Sequence, residues 1–288
     1  MIEVRYRDRL GNNLFQYCLG RILAEDFGYA LRAEPIPGFP NTHEKVEGIR
    51  FDSPEQTLTG QRIDFEGILT NRPPRRIVLD GWFQRYEYYL PHRAKIREWL
   101  AFDPAVRLME PSPDIVIHVR RTDYVPRGWA LPFSFYRNAL EELRERGGEV
   151  WIVTDDERDP FFQNFAPWRP KYRSGTPLEQ MAFMSSARNL VLSQSTFSWW
   201  PAFLGNAEVV VCPIPSVGCW SERADRYARG IDLIMRDQFT CIECREPYRL
   251  TISERSAKVR RSILGHGLRS RLLLARNRLQ LRLPERER

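Results

Sequence analysis

The spacing of apolar residues predicts regularly alternating strands and helices in the second half of the chain. Nearly continuous apolar runs predict buried strands, whereas apolar residues at three- and four-residue steps predict helices. The predicted strands are 115–119, 149–154, 189–193 and 207–212, and the predicted helices lie at about 133–146, 177–187 and 197–204. This alternation is typical of right-handed β-α-β units on a parallel sheet, so the sequence predicts an α/β fold.

The chain opens with a similar unit. Residues 2–6 predict a strand, and a polar loop leads from it to an amphipathic helix that begins at Leu14. Asn12 or Asn13 is the expected N-cap of this helix, and Gly28 is its expected stop.

The rest of the first half is less regular. Residues 35–74 are rich in Pro, Gly, Thr and Asn and are predicted to be irregular, and a short strand at 76–80 and a helix at 92–100 follow. Pro104–Pro113 contains three prolines and is the predicted linker. The predicted domains are an N-terminal α/β domain at 1–110, a Rossmann-like domain at 114–235 and a basic C-terminal extension at 236–288.

Three of the predicted strands end in polar clusters. The clusters are His118-Val119-Arg120-Arg121-Thr122-Asp123, Thr154-Asp155-Asp156 and Ser193-Gln194-Ser195-Thr196. Ligands of an open parallel sheet bind beyond the carboxyl ends of its strands. We therefore expect the three clusters to lie along one edge of one sheet and to form a binding site.

Each cluster has a distinct use in binding a nucleoside diphosphate. Arg120 and Arg121 can neutralise a pyrophosphate, because a guanidinium keeps its charge and donates two parallel hydrogen bonds. Ser195 and Thr196 stand at a helix N-terminus, where backbone N–H groups and the helix dipole attract a phosphate. The carboxylates after the second strand can accept hydrogen bonds from a base or a ribose.

Structural interpretations of the same residues stay open. Ser and Thr are common helix caps without a ligand, the paired aspartates fit an ordinary turn, and arginines at a strand end are often solvated. Asp123 is expected to orient an arginine through an ion pair rather than to act directly on a substrate. Trp199 and Trp200 are expected to pack in the core, with one indole as a candidate for lining a cleft.

The positive charge is concentrated in a C-terminal tail. Residues 255–288 contain eleven Lys/Arg and two Asp/Glu, a net charge of +9, so the other 254 residues carry −2 of the total of +7. Apolar residues recur in this tail at helical spacing, and an amphipathic helix at 258–283 is predicted to lie on an anionic membrane surface. Docking on the body of the protein and binding to nucleic acid are the alternatives, and the near-neutral body argues against nucleic acid.

The sequence predicts a cytoplasmic protein, peripheral to the inner face of the plasma membrane if the tail binds there. No run of 18 apolar residues occurs, and the N-terminal residues lack the apolar stretch of a secretory signal. The five cysteines are therefore expected to be reduced. A zinc site is a weaker alternative for four of them, and only the last pair has the usual ligand spacing. These four are Cys212, Cys219, Cys241 and Cys244.

Four segments carry a resemblance to a known family. They are Arg9-Leu-Gly-Asn-Asn-Leu-Phe-Gln-Tyr17, Leu79-Asp-Gly-Trp-Phe-Gln84, His118-Val-Arg-Arg-Thr-Asp123 and Gln194-Ser-Thr-Phe-Ser-Trp-Trp200. The third is similar to the HxRRxD motif that several types of fucosyltransferase share. The others resemble the GLGNQMFQYA, GYFQ and NS(S/T)FSWW segments of bacterial α-1,2-fucosyltransferases, glycosyltransferase family 11. Departures at Arg9, Asn13, Thr122 and Gln194 bear on the acceptor more than on the donor.

The resemblance implies a GT-B-like architecture, in which two Rossmann-like domains with parallel sheets face each other across a cleft. It implies inverting, metal-independent transfer of L-fucose from GDP-β-L-fucose to a galactose 2-hydroxyl of a glycan. The GDP-fucose is then a co-substrate, and no bound cofactor or metal is expected. Residues 1–110 would form the acceptor side, and residues 114–235 would bind the GDP-sugar.

The resemblance also implies roles for single residues. The predicted catalytic residues are Arg120, which would contact the β-phosphate and the leaving oxygen, His118, which would touch the nucleotide, and Asp123. The predicted donor-binding residues are Gly11, Asn12, Arg121, Asp155, Ser195, Thr196, Phe197 and Ser198. Of these, Asp155 would face the guanine, and Asn12 would reach the fucose or a phosphate from the opposite domain.

No residue is singled out as the base that takes the acceptor proton. Asp123 is expected to be tied to an arginine, which leaves His43 and Glu44 of the irregular segment as candidates.

Two other functions of the chain stay open. One is transfer of another GDP-sugar, or of fucose to another linkage, and the other is non-catalytic binding of a nucleotide or nucleic acid.

Overall fold

Two parallel sheets organise the chain in the computed structural model. The structure describes residues 1–50, 54–70, 76–106, 112–221 and 230–249, without the side chains of residues 69 and 70. Both sheets belong to one compact unit, Met1–Pro247, and only Tyr248 and Arg249 of the second unit are described. The predicted tail helix at 258–283 and part of the predicted linker lie outside the described residues.

The first sheet is formed by residues 1–106, which we call the first lobe. Its strands are β1 (Ile2–Val4), β2 (Leu31–Arg32), β3 (Glu55–Leu58) and β4 (Arg76–Leu79). They lie in the order β2-β1-β4-β3, and each neighbouring pair is parallel. The carboxyl ends of β1 and β4 therefore adjoin at the centre of this sheet.

The second sheet is formed by residues 112–247, which we call the second lobe. Its strands are β5 (Ile115–Val119), β6 (Val150–Thr154), β7 (Lys171–Tyr172), β8 (Asn189–Val191), β9 (Val209–Pro215) and β10 (Thr240–Cys244). They lie in the order β10-β9-β8-β5-β6-β7 and pair in parallel. The chain winds one way from β5 to β7 and the other way from β8 to β10. A ligand crevice forms where such winding reverses, here between β5 and β8.

Helices connect and cover the strands. They are α1 (Leu10–Phe27), α2 (Phe65–Thr70), α3 (Arg93–Trp99), α4 (Tyr124–Arg127), α5 (Phe133–Glu142), α6 (Pro177–Ser185) and α7 (Thr196–Leu204), with short 3-10 segments between them. Gly28 ends α1 in the left-handed conformation, with φ 65°, as predicted. The predicted α/β class with parallel sheets is confirmed. None of the described helices is long and apolar enough to cross a membrane.

Two predictions about local structure are wrong, and one strand of the second sheet beyond residue 235 was missed. Helix α1 begins at Leu10 and has no side-chain cap, so Asn12 and Asn13 lie in its first turn instead of capping it. The segment 35–74 was expected to be irregular, but it contributes β3 and α2. Strand β3 alternates between exposed and half-buried residues at a sheet edge, so it lacks an apolar signal. Strand β10 was not predicted, and it extends the second sheet beyond residue 235.

Helices α1 and α7 pack the two lobes together. The ring of Phe15 in α1 lies 5.0 Å from that of Trp199 and 4.6 Å from that of Trp200, between ring centroids. Both indoles are fully buried, which confirms the predicted core packing. Each indole N–H also donates a hydrogen bond, from Trp200 to Gly11 O at 2.8 Å and from Trp199 to Leu233 O at 3.0 Å. The two lobes therefore share one core at the base of the cleft between them.

Candidate active site

A cavity of about 1160 Å³ opens between the lobes at the carboxyl ends of both sheets. The first lobe lines it with the loop after β1, the first turn of α1 and the loop after β4. The second lobe lines it with the loops after β5 and β6 and with the N-terminus of α7. All three polar clusters predicted at strand ends therefore contribute residues to a single cavity.

Arg120 follows β5 and is held between two aspartates. Its Nη2 lies 2.7 Å from Asp123 Oδ1, and its Nε lies 2.9 Å from the same oxygen and 3.1 Å from Asp155 Oδ2. Its Nη1 has no polar partner among the described residues. The carboxylates fix the guanidinium, while one nitrogen remains to donate to a ligand in the cavity.

Asp123 has the orienting contact that the sequence suggested. Besides Arg120, it pairs with Arg127, whose Nη1 lies 2.8 Å from Asp123 Oδ2. Burial acts to raise the pKa of Asp123, but the two arginines outweigh this effect and hold the pKa below its usual value. A carboxylate stabilised in this way is a weak proton acceptor.

The N-terminus of α7 faces the cavity beside Arg120. Ser195 caps this helix, because its Oγ accepts a hydrogen bond from the N–H of Phe197 at 3.2 Å and its carbonyl accepts one from the N–H of Ser198 at 3.1 Å. The N–H of Thr196 has no partner among the described residues. This amide and the positive end of the helix dipole make the turn suitable for an anion.

The first turn of α1 meets the first turn of α7 across the cavity. A side chain on Gly11 would place its Cβ 2.8 Å from Thr196 Oγ1 and 2.9 Å from the nitrogen of Phe197, so only glycine fits. Thr196 Oγ1 donates a hydrogen bond to Asn12 Oδ1 at 3.0 Å. Gln84 Nε2 donates to the same oxygen at 2.9 Å. The predicted donor-binding residues Gly11 and Asn12 thus lie against the predicted phosphate-binding turn.

His118 lies on β5 among the residues that line the cavity, but it is almost entirely buried. Burial, and then the charge of Arg120, lower the pKa of His118 to about 3, so the imidazole is neutral near pH 7. Its Nδ1 lies 2.7 Å from Ser193 Oγ. Ser198, another predicted donor-binding residue, is fully buried and does not line the cavity. Its hydroxyl donates a hydrogen bond to the carbonyl of Ser193 at 3.2 Å.

Arg121 lies on the opposite side of the chain from Arg120. It is 1% exposed, its Nε lies 2.8 Å from Asp159 Oδ2, and its guanidinium carbon lies 4.1 Å from the centroid of the Phe161 ring. Neighbouring side chains of an extended segment point to opposite sides, which explains why only Arg120 lines the cavity. The structure therefore gives Arg121 a structural contact, and its predicted contact with a donor stays a prediction.

Asp155 lines the cavity and also fastens the loop after β5. Its carboxylate accepts hydrogen bonds from the backbone N–H groups of Arg121 at 2.8 Å and Thr122 at 3.3 Å, and from the Thr122 hydroxyl. Together with its contact to Arg120, these bonds occupy both carboxylate oxygens. The carboxylate that was predicted to face a guanine thus has a second task in shaping the site.

Several lining residues were missed because they lie in loops or in the short helix α4. Asp8 follows β1, has a φ of 63° and accepts hydrogen bonds from Asn12 and from the indole N–H of Trp82, which follows β4. Arg127 and Trp129 line the second lobe, with the guanidinium 5.2 Å from the indole centroid. Only Trp82 carried a sequence signal, since it lies in one of the four segments that resemble the family.

Two candidate bases lie elsewhere. Neither His43 nor Glu44 lines the cavity. His43 is exposed, and Glu44 Oε2 lies 3.0 Å from Nη2 of the nearly buried Arg21. These residues sit near the far end of the first lobe's helix α1, away from its first turn.

The cysteines weighed as zinc ligands do not share one site. Cys212 and Cys241 are paired neighbours on β9 and β10. Cys219 lines the cavity, and its thiol donates to Gln194 O at 3.0 Å. In the part of the chain that the structure describes, no three His, Cys, Asp or Glu residues are grouped to hold a metal ion.

Comparison with known proteins connects this geometry to a family. The model of glycosyl transferase family 11 matches residues 77–218, a segment that contains the loop after β5 and the N-terminus of α7. The chain is a glycosyltransferase of family 11. This confirms the membership that the four sequence segments suggested.

Relatives of the glycosyltransferase match most of its length. It is 27% identical to an alpha-1,2-colitosyltransferase of Escherichia coli, over 78% of the chain and 94% of that relative. It is 24% identical to the galactoside 2-alpha-L-fucosyltransferase Sec1 of Mus musculus, over 73% of the chain and 66% of that relative. Among solved structures it aligns with NodZ alpha-1,6-fucosyltransferase co-crystallized with GDP, with a TM-score of 0.44 and 12% identity over 71% of the chain and 92% of NodZ.

Proposed function

We propose that this glycosyltransferase transfers L-fucose from GDP-β-L-fucose to the 2-hydroxyl of a galactose in a glycan, with inversion at the anomeric carbon. The observation that carries the proposal is the position of Arg120 beside the N-terminus of α7 in the cavity between the lobes. Relatives that match most of the chain are named for α-1,2 transfer, which supports the linkage.

The main electrostatic task in this reaction is to stabilise the departing GDP. Negative charge builds on the β-phosphate as the bond to the sugar breaks, while the sugar becomes positively charged. Nη1 of Arg120 and the N–H of Thr196 are donors already fixed in position for that charge. Preorganised donors of this kind lower the barrier because they need no rearrangement during the reaction.

We propose that this stabilisation needs no metal ion. The carboxylates of Asp123 and Asp155 are the acidic groups nearest to Arg120, and both are engaged by arginine or by backbone N–H groups. Arg120 and the helix dipole then provide the positive charge that a divalent cation would supply. Turnover that persists in a strong chelator is the expected result.

The donor is tested with the purified full-length enzyme. GDP-L-fucose, GDP-colitose and GDP-mannose are each offered with a panel of galactose-terminated oligosaccharides, with and without EDTA. We expect transfer from GDP-L-fucose to galactose, and NMR of the product should show an α linkage to O2. Transfer from GDP-mannose alone, or a linkage to another oxygen, would refute the assignment.

A second candidate donor is GDP-colitose, because one relative that is matched over 94% of its length is named a colitosyltransferase. Colitose is L-fucose without its 3-hydroxyl group. A site that hydrogen-bonds the 3-hydroxyl of fucose discriminates strongly against colitose, which lacks this group. A site built for colitose discriminates less strongly against fucose. The ratio of kcat/KM for the two donors therefore decides between them.

We also propose that residues 258–283, which lie outside the described part, bind an anionic membrane surface. The test compares the full-length enzyme with a variant in which Arg269, Arg271, Arg276 and Arg278 are changed to Gln. We expect the unchanged enzyme to sediment with phosphatidylserine vesicles and not with phosphatidylcholine vesicles, and the variant to lose this binding. Equal binding of both proteins to both kinds of vesicle would contradict the proposed binding of residues 258–283 to an anionic surface.

A further inference from the structure

Among the described residues, three carboxylates line the cavity, and two of them are engaged by arginines. Asp123 pairs with Arg120 and Arg127, and Asp155 pairs with Arg120 and with backbone N–H groups. The third carboxylate, Asp8, is in no ion pair with the residues that the structure describes. Of the three lining acids, Asp8 is therefore the one that has no ion pair with a described guanidinium.

Asp8 lies where the first lobe offers its own binding crevice. The strand order of the first sheet puts β1 next to β4, and Asp8 and Trp82 belong to the loops that follow these two strands. Ligands of open parallel sheets bind beyond the carboxyl ends of the strands, which is where both loops lie. The two crevices, one from each lobe, open on the same cavity.

The backbone at Asp8 is held in an unfavourable conformation. Its φ of 63° lies in the left-handed region, which costs a residue with a side chain of order 1 kcal/mol or more. Glycine would adopt this conformation without strain. A carboxylate at a strained position in a cleft motivates the hypothesis that the side chain is used there.

The hydrogen bonds of Asp8 leave one carboxylate oxygen available. The indole N–H of Trp82 and the amide of Asn12, at 3.3 Å, both donate to Oδ2. No described residue donates to Oδ1. The carboxylate is therefore oriented by one oxygen, and the other can accept a hydrogen bond from a substrate.

Asn12 connects Asp8 to the predicted phosphate-binding turn. Its Nδ2 donates to Asp8, and its Oδ1 accepts from Thr196 Oγ1 at 3.0 Å. A sugar whose diphosphate lies at the N-terminus of α7 has its anomeric carbon next to that diphosphate. One residue, Asn12, thus separates Asp8 from the turn where the reacting bond is expected. An acceptor hydroxyl that lies in the cavity next to that bond can therefore come within hydrogen-bond reach of Asp8, as a general base requires.

We propose that Asp8 is the general base that takes the proton of the acceptor hydroxyl. The acceptor oxygen forms a bond to the anomeric carbon, the bond from that carbon to the β-phosphate oxygen breaks and leaves its electron pair on GDP, and the hydroxyl proton moves to Asp8 Oδ1. The face of the Trp82 ring is a platform for the acceptor sugar beside this carboxylate. The assignment rests on the proposed function.

The decisive variants are Asp8→Asn and Asp8→Gly in the full-length enzyme. Asp8→Asn keeps the size of the side chain and removes its basicity, and we expect kcat to fall by about 10²- to 10⁴-fold with little change in the affinity for GDP. Asp8→Gly fits the backbone conformation and leaves space for a small carboxylate. Added sodium formate should therefore restore turnover of Asp8→Gly in a concentration-dependent manner, and it should not help Asp8→Asn.

The matched control is Asp80→Asn. Asp80 follows β4, pairs with Arg7 and does not line the cavity, so its loss should leave kcat within a few-fold of the unchanged enzyme. Calorimetry with GDP and thermal melting confirm that each variant is folded. Turnover by the unchanged enzyme is measured first, because its absence with every donor refutes the proposed function rather than this assignment alone.

The remaining outcomes separate a base from a binding contact. A normal kcat with a raised KM for the acceptor would make Asp8 an acceptor ligand and overturn the proposal. A lowered kcat that formate does not restore in Asp8→Gly would overturn it as well. The proposal stands only if the loss appears in kcat, GDP affinity is kept and formate restores turnover.

Discussion

Thr196 Oγ1 donates a hydrogen bond to Asn12 Oδ1 at 3.0 Å, and this bond joins the first turn of α7 in one lobe to the first turn of α1 in the other. The two turns also meet through Gly11, which has no room for a side chain. The donor-side turn and the loop that holds Asp8 are therefore fixed relative to each other before a substrate binds. Such preorganisation is what a reaction with a developing charge on its leaving group needs.

Replacing Arg120 should abolish most of the activity. Arg120→Ala removes the guanidinium next to the N-terminus of α7, and we expect kcat to fall by at least about 10²- to 10³-fold. Arg120→Lys should also be inactive, because a point charge cannot contact Asp123, Asp155 and a phosphate at once. Steady-state kinetics and GDP calorimetry measure the effect. Arg144→Ala, at an exposed surface position, is the control, and near-normal turnover of Arg120→Ala would exclude the proposed mechanism.

The bond between Asn12 and Thr196 should be measurable as a coupling energy. Asn12→Ala, Thr196→Val and the double variant form a thermodynamic cycle, read by urea unfolding. We expect a coupling of about 0.5–1.5 kcal/mol, the usual net value of a hydrogen bond between neutral groups. Additive effects within about 0.3 kcal/mol would show that the bond does not stabilise the contact between the lobes.

Gly11→Ala should destabilise the contact between α1 and α7. The new methyl group would lie 2.8 Å from Thr196 Oγ1 and 2.9 Å from the backbone nitrogen of Phe197, so the helices must move apart. We expect a loss of about 1–3 kcal/mol in the free energy of unfolding and a weaker affinity for GDP. Adding Thr196→Ala should not restore stability, because the clash with the backbone nitrogen remains. Full recovery in that double variant would contradict this account.

Four strands of the second sheet and the position of the site at their carboxyl ends could be anticipated from the sequence, because apolar runs and their polar ends mark these strands. The pattern could not say which of two adjacent arginines faces the ligand. Arg120 and Arg121 have the same chemistry, and only their positions on opposite sides of the extended chain distinguish them. The structure places one in the cavity and the other over the ring of Phe161.

Contacts between the lobes were also beyond the sequence pattern. Asn12 has the residue type of a helix cap, yet its side chain bonds to Thr196, 184 positions along the chain. Asp8 lies in a short polar loop without any periodic signal, and its contact with Trp82 joins two strands that are distant in sequence. Strand β10 is recognisable only through its pairing with β9. Tertiary pairing, rather than local propensity, determines all three features.

Arg121 should matter for stability more than for donor binding. Its side chain is 1% exposed and pairs with Asp159, which is itself largely buried. Removing one partner of a buried ion pair leaves the other charge without compensation, and we expect Arg121→Ala to cost about 3–5 kcal/mol of unfolding free energy. Urea unfolding measures the loss, and GDP calorimetry below the unfolding transition should give a nearly unchanged affinity. A stable variant that no longer binds GDP would instead support direct contact with the donor.

The buried imidazole of His118 should make the enzyme sensitive to acid. Burial, and then the charge of Arg120, lower the pKa of His118 from 6.5 to about 3. Between pH 6.5 and about pH 3, the unfolded chain therefore binds a proton at His118 that the folded chain does not bind. The free energy of unfolding must therefore fall as the pH drops through that window, by up to about 1.4 kcal/mol per pH unit for this one group.

His118→Gln cannot be protonated and should flatten the dependence of stability on pH between about pH 6.5 and about pH 4.5, as followed by urea unfolding at each pH. His43→Gln, at an exposed position, is the matched control and should keep the slope of the unchanged enzyme. Identical slopes for His118→Gln and the unchanged enzyme would mean that His118 is not held neutral by its surroundings.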